Sequence, residues 1–204
     1  MIVTDLTVQE KNKERCNVFI DGEYAFSLPL EIVVLKKIKK NVELSSDEID
    51  ELKKEAEKSF ALKRATDYVL KYFKTKKQVR EYLTKKGFSS EASDYALLKL
   101  SEYGYVDDKA FAKQYIESVC TKEGARLSDY KLMKKGISKK VLDEVRAENV
   151  FETSTGAKIT AEKYLKNKEK SRENLSKAFR YLIGKGFSYE ETENALSKFK
   201  GEDD

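Results

Sequence analysis

Lys86-Gly87-Phe88-Ser89, Lys135-Gly136-Ile137-Ser138 and Lys185-Gly186-Phe187-Ser188 are three versions of one phrase. Their glycines stand 49 and 50 residues apart, and a leucine precedes each by four residues: Leu83, Leu132 and Leu182. The phrase describes a helix that stops at a glycine, the residue that takes left-handed backbone without a side-chain clash. The apolar residue that follows packs back on the turn. The serine then caps the next helix by accepting one of its free backbone N–H groups. Ser188 with Glu191 completes a capping box. One such turn is ordinary in a helical protein. Three at near-constant spacing imply a unit of about 50 residues repeated in tandem.

The helices on either side of each turn follow from periodicity. In the first repeat, Leu62, Ala65, Val69, Tyr72 and Phe73 mark helix one. Thr75 with Gln78 opens helix two, whose inward residues are Val79, Tyr82 and Leu83. Helix three turns Ala92, Tyr95, Leu98 and Tyr103 inward. The second repeat opens at Asp107-Asp108, acids suited to a helix N-terminus, and turns at Gly124. Adjacent helical residues diverge by about 100° and no third ligand is near, so these acids read as caps and not as a metal pair. Leu127 to Lys135 and Val141, Leu142 and Val145 complete that repeat. The third holds Ile159, Tyr164 and Leu165, then Leu175 to Leu182, then Ala195, Leu196 and Phe199. Asn149 to Gly156 reads as the loosest joint, and Gly201-Glu202-Asp203-Asp204 as a frayed tail.

The first 60 residues differ. Ile2 to Val8 alternates, and the runs Cys16 to Ile20 and Tyr24 to Leu28 flank Asp21-Gly22, a strong hairpin signal. Three strands alone are marginal, so a helix should cover them. Pro29 opens it, with Leu30, Val33, Val34 and Ile38 on its apolar side and Asn41 as a left-handed cap. Ser45 with Glu48 starts a further helix, striped by Ile49, Leu52, Ala56 and Phe60. The expected fold is mainly α: an elongated tandem array of three three-helix repeats, preceded by a small β-meander-plus-helix module. The expected divisions are residues 1–60, 61–106, 107–150 and 151–204.

Composition narrows the function. The chain has 204 residues, of which 40% are hydrophobic and 38% charged. It has no histidine, which excludes imidazole acid–base chemistry, a His-based triad and His metal ligation. Cys16 and Cys120 are two lone thiols that suit a reducing cytosol and cannot build a structural zinc site. No Gly-rich phosphate loop, apolar membrane span or signal segment is present. The expectation is a cytoplasmic, monomeric, non-enzymatic protein with no cofactor and no membrane contact.

Charge is placed unevenly. Residues 1–60 hold 10 basic and 13 acidic side chains, whereas residues 61–204 hold 31 and 23. Residues 61–86 are densest, with nine basic residues against Asp67 and Glu81. Aligned on the glycines, Lys77 corresponds to Arg126 and Lys85 to Lys134. Helical geometry places Lys77, Arg80 and Thr84 on one face, away from Val79 and Leu83. Outward position and repeat correspondence select Lys76, Lys77, Arg80, Lys85, Arg126, Tyr130, Lys131 and Lys134 as candidate binding residues. Tyr130 is the expected exposed aromatic, whereas Tyr72, Phe73, Tyr82 and Tyr95 read as core. The bland account is a solvated basic face with lysines that favour helix C-termini. The functional account is a basic stripe for a long acidic or polyanionic partner.

The stretch Gly104-Tyr105-Val106-Asp107-Asp108-Lys109-Ala110-Phe111-Ala112-Lys113-Gln114-Tyr115 resembles one found in the RecX family of regulators of the RecA recombinase. Leu132-Met133-Lys134-Lys135-Gly136-Ile137 and its counterparts at Leu83 and Leu182 are similar to the family's turn phrase. The resemblance covers residues 61–200, and more weakly the β-containing module. Lys74-Thr75-Lys76-Lys77 departs from the family's usual Arg-x-Ser, and Ala125-Arg126 from its proline and paired basic residues. The resemblance implies a curved protein lying in the groove of the RecA–DNA filament. It implies restraint of ATP hydrolysis, strand exchange and the co-protease signalling of the DNA-damage response. Direct binding of single- or double-stranded DNA by the basic faces is the alternative, and an unrelated helical scaffold a third reading.

Overall fold

The computed structural model describes residues 1–199; the tail read as frayed, Gly201 to Asp204, lies outside the described residues. The backbone forms two compact units, one of Met1–Lys74 with Val79–Val106 and one of Thr75–Gln78 with the residues from Asp107 onward.

In the first unit, β1 (Val3–Val8), β2 (Arg15–Ile20) and β3 (Glu23–Pro29) form an antiparallel meander in that order. Asp21 and Gly22 both have positive φ, 50° and 91°, which is the primed turn that matches strand twist. Alternation carries Cys16, Val18 and Ile20 into the core. There they meet Ile32 and Val33 of α1 (Leu30–Leu35) and Ile49, Leu52 and Ala56 of α2 (Ser46–Val69). Pro29 is the cap of α1 and not its first residue, and Val34 is exposed. Asn41 takes the left-handed conformation, with φ 69°. Ser45 and Glu48 form the expected capping box.

The two helices predicted on either side of residue 60 are one: α2 runs unbroken for 24 residues. Its second half packs on α4 (Ser90–Glu102) and on α3 (Lys76–Lys85) from Val79 onward. Ala61, Ala65, Ala92 and Ala96 are all buried, a seam that lets α2 and α4 approach closely. That seam rotates α4 so that Leu98 and Tyr103, predicted inward, stand 58% and 62% exposed. Tyr72 and Phe73 are exposed too, because α2 stops at Val69 and they lie in the segment that follows. Tyr82 and Tyr95 are half-buried.

The second unit holds α5 (Asp108–Val119), α6 (Ala125–Lys134), α7 (Lys139–Glu148), α8 (Thr153–Leu165), α9 (Arg172–Gly184) and α10 (Tyr189–Leu196), then a short 3-10 turn at Ser197–Phe199. Ile116, Leu132, Ile137, Leu142 and Val145 centre one apolar cluster, and Leu165, Leu182, Phe187 and Leu196 another. The joint read as loose reaches only residues 149–152. Gly156 is buried in α8, where a Cβ would come within 2.3 Å of the Cys120 carbonyl oxygen.

The three glycine turns share one geometry. Gly87, Gly136 and Gly186 have φ of 84°, 93° and 88°. The N–H of the next residue reaches back to the leucine carbonyl: Phe88 to Leu83 at 3.2 Å, Ile137 to Leu132 at 3.1 Å, Phe187 to Leu182 at 3.3 Å. The glycine N–H bonds the carbonyl three residues back, closing a Schellman motif. Ser89, Ser138 and Ser188 accept from Ala92, Val141 and Glu191 backbone N–H groups and so cap the following helices.

Two of these turns also receive another helix. The Thr75 hydroxyl, at the head of α3, donates to the Lys135 carbonyl at 2.7 Å. The Gly124 and Arg126 N–H groups, at the head of α6, donate to the Lys185 and Gly186 carbonyls at 3.0 and 3.2 Å. A Cβ on Gly136 would come within 2.4 Å of the Lys77 Cβ, and one on Gly186 within 2.3 Å of the Leu127 backbone nitrogen. Nothing stands within 4 Å of a Cβ on Gly87. Gly87→Ala should therefore cost only left-handed strain, about 1–2 kcal/mol. Gly186→Ala should cost about 3 kcal/mol or more, because overpacking against backbone is added. Urea denaturation of both variants checks the difference; equal losses would contradict the seating of α6 on the Gly186 turn.

Candidate partner-binding surface

Asp107 and Asp108 cap two different helices. Asp107 accepts the Lys109 and Ala110 N–H groups at 2.8 and 3.1 Å and starts α5. Asp108 accepts the Lys76 N–H at 2.9 Å and closes the head of α3. Thr75 and Gln78 cap that head reciprocally, at 3.1 and 3.2 Å. The pair of acids thus positions the first turn of α3, where Lys76 and Lys77 stand.

In the second unit, six of the eight candidates gather on two helices. The Lys77 amine donates to the Lys134 carbonyl at 3.3 Å, joining the head of α3 to the end of α6. Lys134 holds its own ammonium 4.6 Å from the Tyr130 ring centre, and Tyr130 is 50% exposed. Arg126 and Lys76 are exposed. Neither they nor Lys134 has an ion pair among the described residues. Lys131 differs: its ammonium bonds Glu123 at 2.5 Å, and that hydrogen bond raises its pKa above the ordinary lysine value. Its charge is largely compensated. In the first unit, Arg80 is paired with Asp94, whereas Lys85 is exposed. The surface that retains uncompensated charge is therefore narrower than the eight residues.

Two features were missed from sequence. Arg146 of α7 donates to both Asp129 oxygens, at 2.6 Å from Nη2 to Oδ1 and 3.2 Å from Nε to Oδ2, and at 2.9 Å to the Ser128 hydroxyl. No sequence pattern marks a pair 17 residues apart on separate helices. The second is a stacked tyrosine pair in each outer repeat. Tyr68 and Tyr82 lie 4.0 Å apart between centroids with an interplanar angle of 7°, and Tyr164 and Tyr181 lie 4.6 Å apart. The signal was present: Tyr82 and Tyr181 each precede their glycine by five residues.

Comparison with known proteins covers most of the chain. A family model described as the regulatory protein RecX N-terminal domain matches residues 1–45. A protein of Clostridium beijerinckii named regulatory protein RecX is 32% identical over 201 residues, covering 96% of this chain and 94% of that relative. The chain belongs to the RecX family of regulatory proteins. A RecX of Clostridium botulinum strain Alaska E43 is 34% identical over 199 residues, covering 92% and 91%. The fold is shared with a crystal structure of regulatory protein RecX, at TM-score 0.77 and 23% identity over 96% of this chain and 98% of that one. It is shared also with RecX from Lactobacillus salivarius, at TM-score 0.64 and 20% identity over 70% and 96%. The resemblance read from residues 61–200 thus extends to the β-containing module. Among the described residues no helix is long and apolar enough to cross a membrane, and no cluster of His, Cys, Asp and Glu could hold a metal.

The half-buried Arg146–Asp129 pair fixes α6, which carries four candidates, against α7. Arg146→Ala should lower stability by roughly 2 kcal/mol, because it leaves Asp129 and the buried Ser128 hydroxyl without their donor. Adding Asp129→Ala should cost less than the sum of the single changes. Additive losses in a double-mutant cycle would remove the pair from the account.

Proposed function

We propose that this RecX-family chain regulates RecA by binding the recombinase filament on DNA and restraining it, without chemistry of its own. The observation that carries this reading is the cationic surface formed by the head of α3 and by α6. The repeat correspondence places Lys77 with Arg126 and Lys85 with Lys134, and the Lys77–Lys134 bond brings two helix ends of opposite polarity together. A filament presents the same acidic or phosphate-lined surface many times. Weak contacts from successive repeats add through effective concentration, so each can be small. Bound along the groove, the chain holds the filament in a state that hydrolyses ATP slowly and exchanges strands poorly. It also blocks the surface on which co-protease substrates are cleaved.

Lys77 also seats the head of α3, so reversing its charge would disturb the fold. Arg126 and Lys134 are the cleaner test. Arg126→Glu with Lys134→Glu should weaken co-sedimentation with RecA filaments by about tenfold or more, with an unchanged thermal melt. Full binding by the folded double variant would remove this face from the function.

A further inference from the structure

The two stacked tyrosine pairs are not demanded by the repeat. Five residues before the glycine stand Tyr82, Lys131 and Tyr181, and in the middle repeat the lysine is tied to Glu123. What the outer repeats hold in common is a ring pair bracketed by ammonium groups. Lys74 lies 5.2 Å from the Tyr68 ring and Lys86 5.9 Å from Tyr82. Lys168 lies 3.2 Å from Tyr164 and Lys185 5.4 Å from Tyr181. Lys86 and Lys185 are themselves equivalent, each directly before its glycine.

Tyr68, Tyr82 and Tyr164 are half-buried at the edges of their cores, and exposed rings adjoin or complete each pair. Tyr181 is 39% exposed, and Lys74 also sits 5.3 Å from Tyr72, which is 73% exposed beside Phe73 at 61%. Exposed rings that are grouped, unlike single ones, mark a surface that meets a partner. The charge around them is one-sided. Residues 61–86 hold nine cations against two acids, and residues 163–185 hold eight against Glu169 and Glu173. A flat apolar face between cations fits a flat apolar ligand carried on an anionic chain. Unpaired nucleobases are that ligand, because any base offers a π-face for stacking and each is flanked by phosphates. Duplex DNA hides the same faces.

We propose that these two platforms bind single-stranded DNA, with unpaired bases stacked on the tyrosines and the bracketing lysines on the phosphates. None of the four tyrosines is among the residues assigned to the filament, and the action of the platforms needs no recombinase. The chain has no tryptophan, so tyrosine emission reports stacking directly.

The test titrates the full chain with a thymidine oligonucleotide and with a duplex of the same length at low salt, without RecA. The single strand should quench tyrosine emission. Tyr72→Ala with Tyr181→Ala, both exposed, should bind the strand about tenfold more weakly while duplex binding changes less than twofold. Tyr181→Phe, which keeps the ring, should bind as the parent does. No quenching, equal losses on strand and duplex, or loss in the Phe variant would each overturn stacking. A chain that slows RecA but does not bind the bare strand would sink this proposal and leave the filament function standing. A chain that binds the strand through its tyrosines but leaves RecA untouched would do the reverse.

Discussion

A left-handed backbone at Gly136 and Gly186 does two jobs at once. It ends a helix, so that the next apolar residue, Ile137 or Phe187, turns into the core with almost no exposure. It also bares the carbonyls of Lys135, Lys185 and Gly186 to the head of a helix from the preceding repeat. The negative end of one helix dipole thereby meets the positive end of another. Only a residue without a Cβ permits both, since any side chain there would strike Lys77 or the Leu127 backbone. The near-constant spacing of the glycines follows, because each unit must deliver one turn and one helix head in register.

That joint places the cations. A lysine directly before each glycine lies at a helix C-terminus, where the dipole favours it, and where ring faces stand nearby. Lys86 and Lys185 use tyrosines, and Lys135 lies 6.0 Å from Phe111. The head of α3, held by Asp108 and Thr75, sets Lys76 and Lys77 at the other side of the joint. The chain has no histidine, and no group of residues that could hold a metal ion stands among its described residues.

Much of this was legible in the sequence, for a local reason. Caps, glycine turns and the Asp21-Gly22 hairpin depend on residues within a few positions of each other, and each has a strong side-chain or φ requirement. What was misread depends on partners far along the chain. Large residues were assigned inward on α4, but the alanine seam with α2 turns Leu98 outward. Small residues give a weak periodic signal, so the unbroken course of α2 through residue 60 was hidden. Tyr72 and Phe73 continue an apolar pattern past the end of their helix. Of the candidate residues, the sequence placed Tyr130 and Arg126 outside, but could not show that Lys131 and Arg80 are paired with Glu123 and Asp94.

The most direct measurement is ATP hydrolysis by the cognate RecA on single-stranded DNA, with this chain titrated in at two salt concentrations and its binding to the bare strand followed in parallel. Direct regulation of the filament predicts a fall in hydrolysis well below one chain per RecA protomer, at concentrations where bare DNA is mostly unoccupied. It also predicts a shallower salt dependence than phosphate binding alone would give. Unchanged hydrolysis, or a fall that tracks saturation of the DNA and its steep salt dependence, would contradict it.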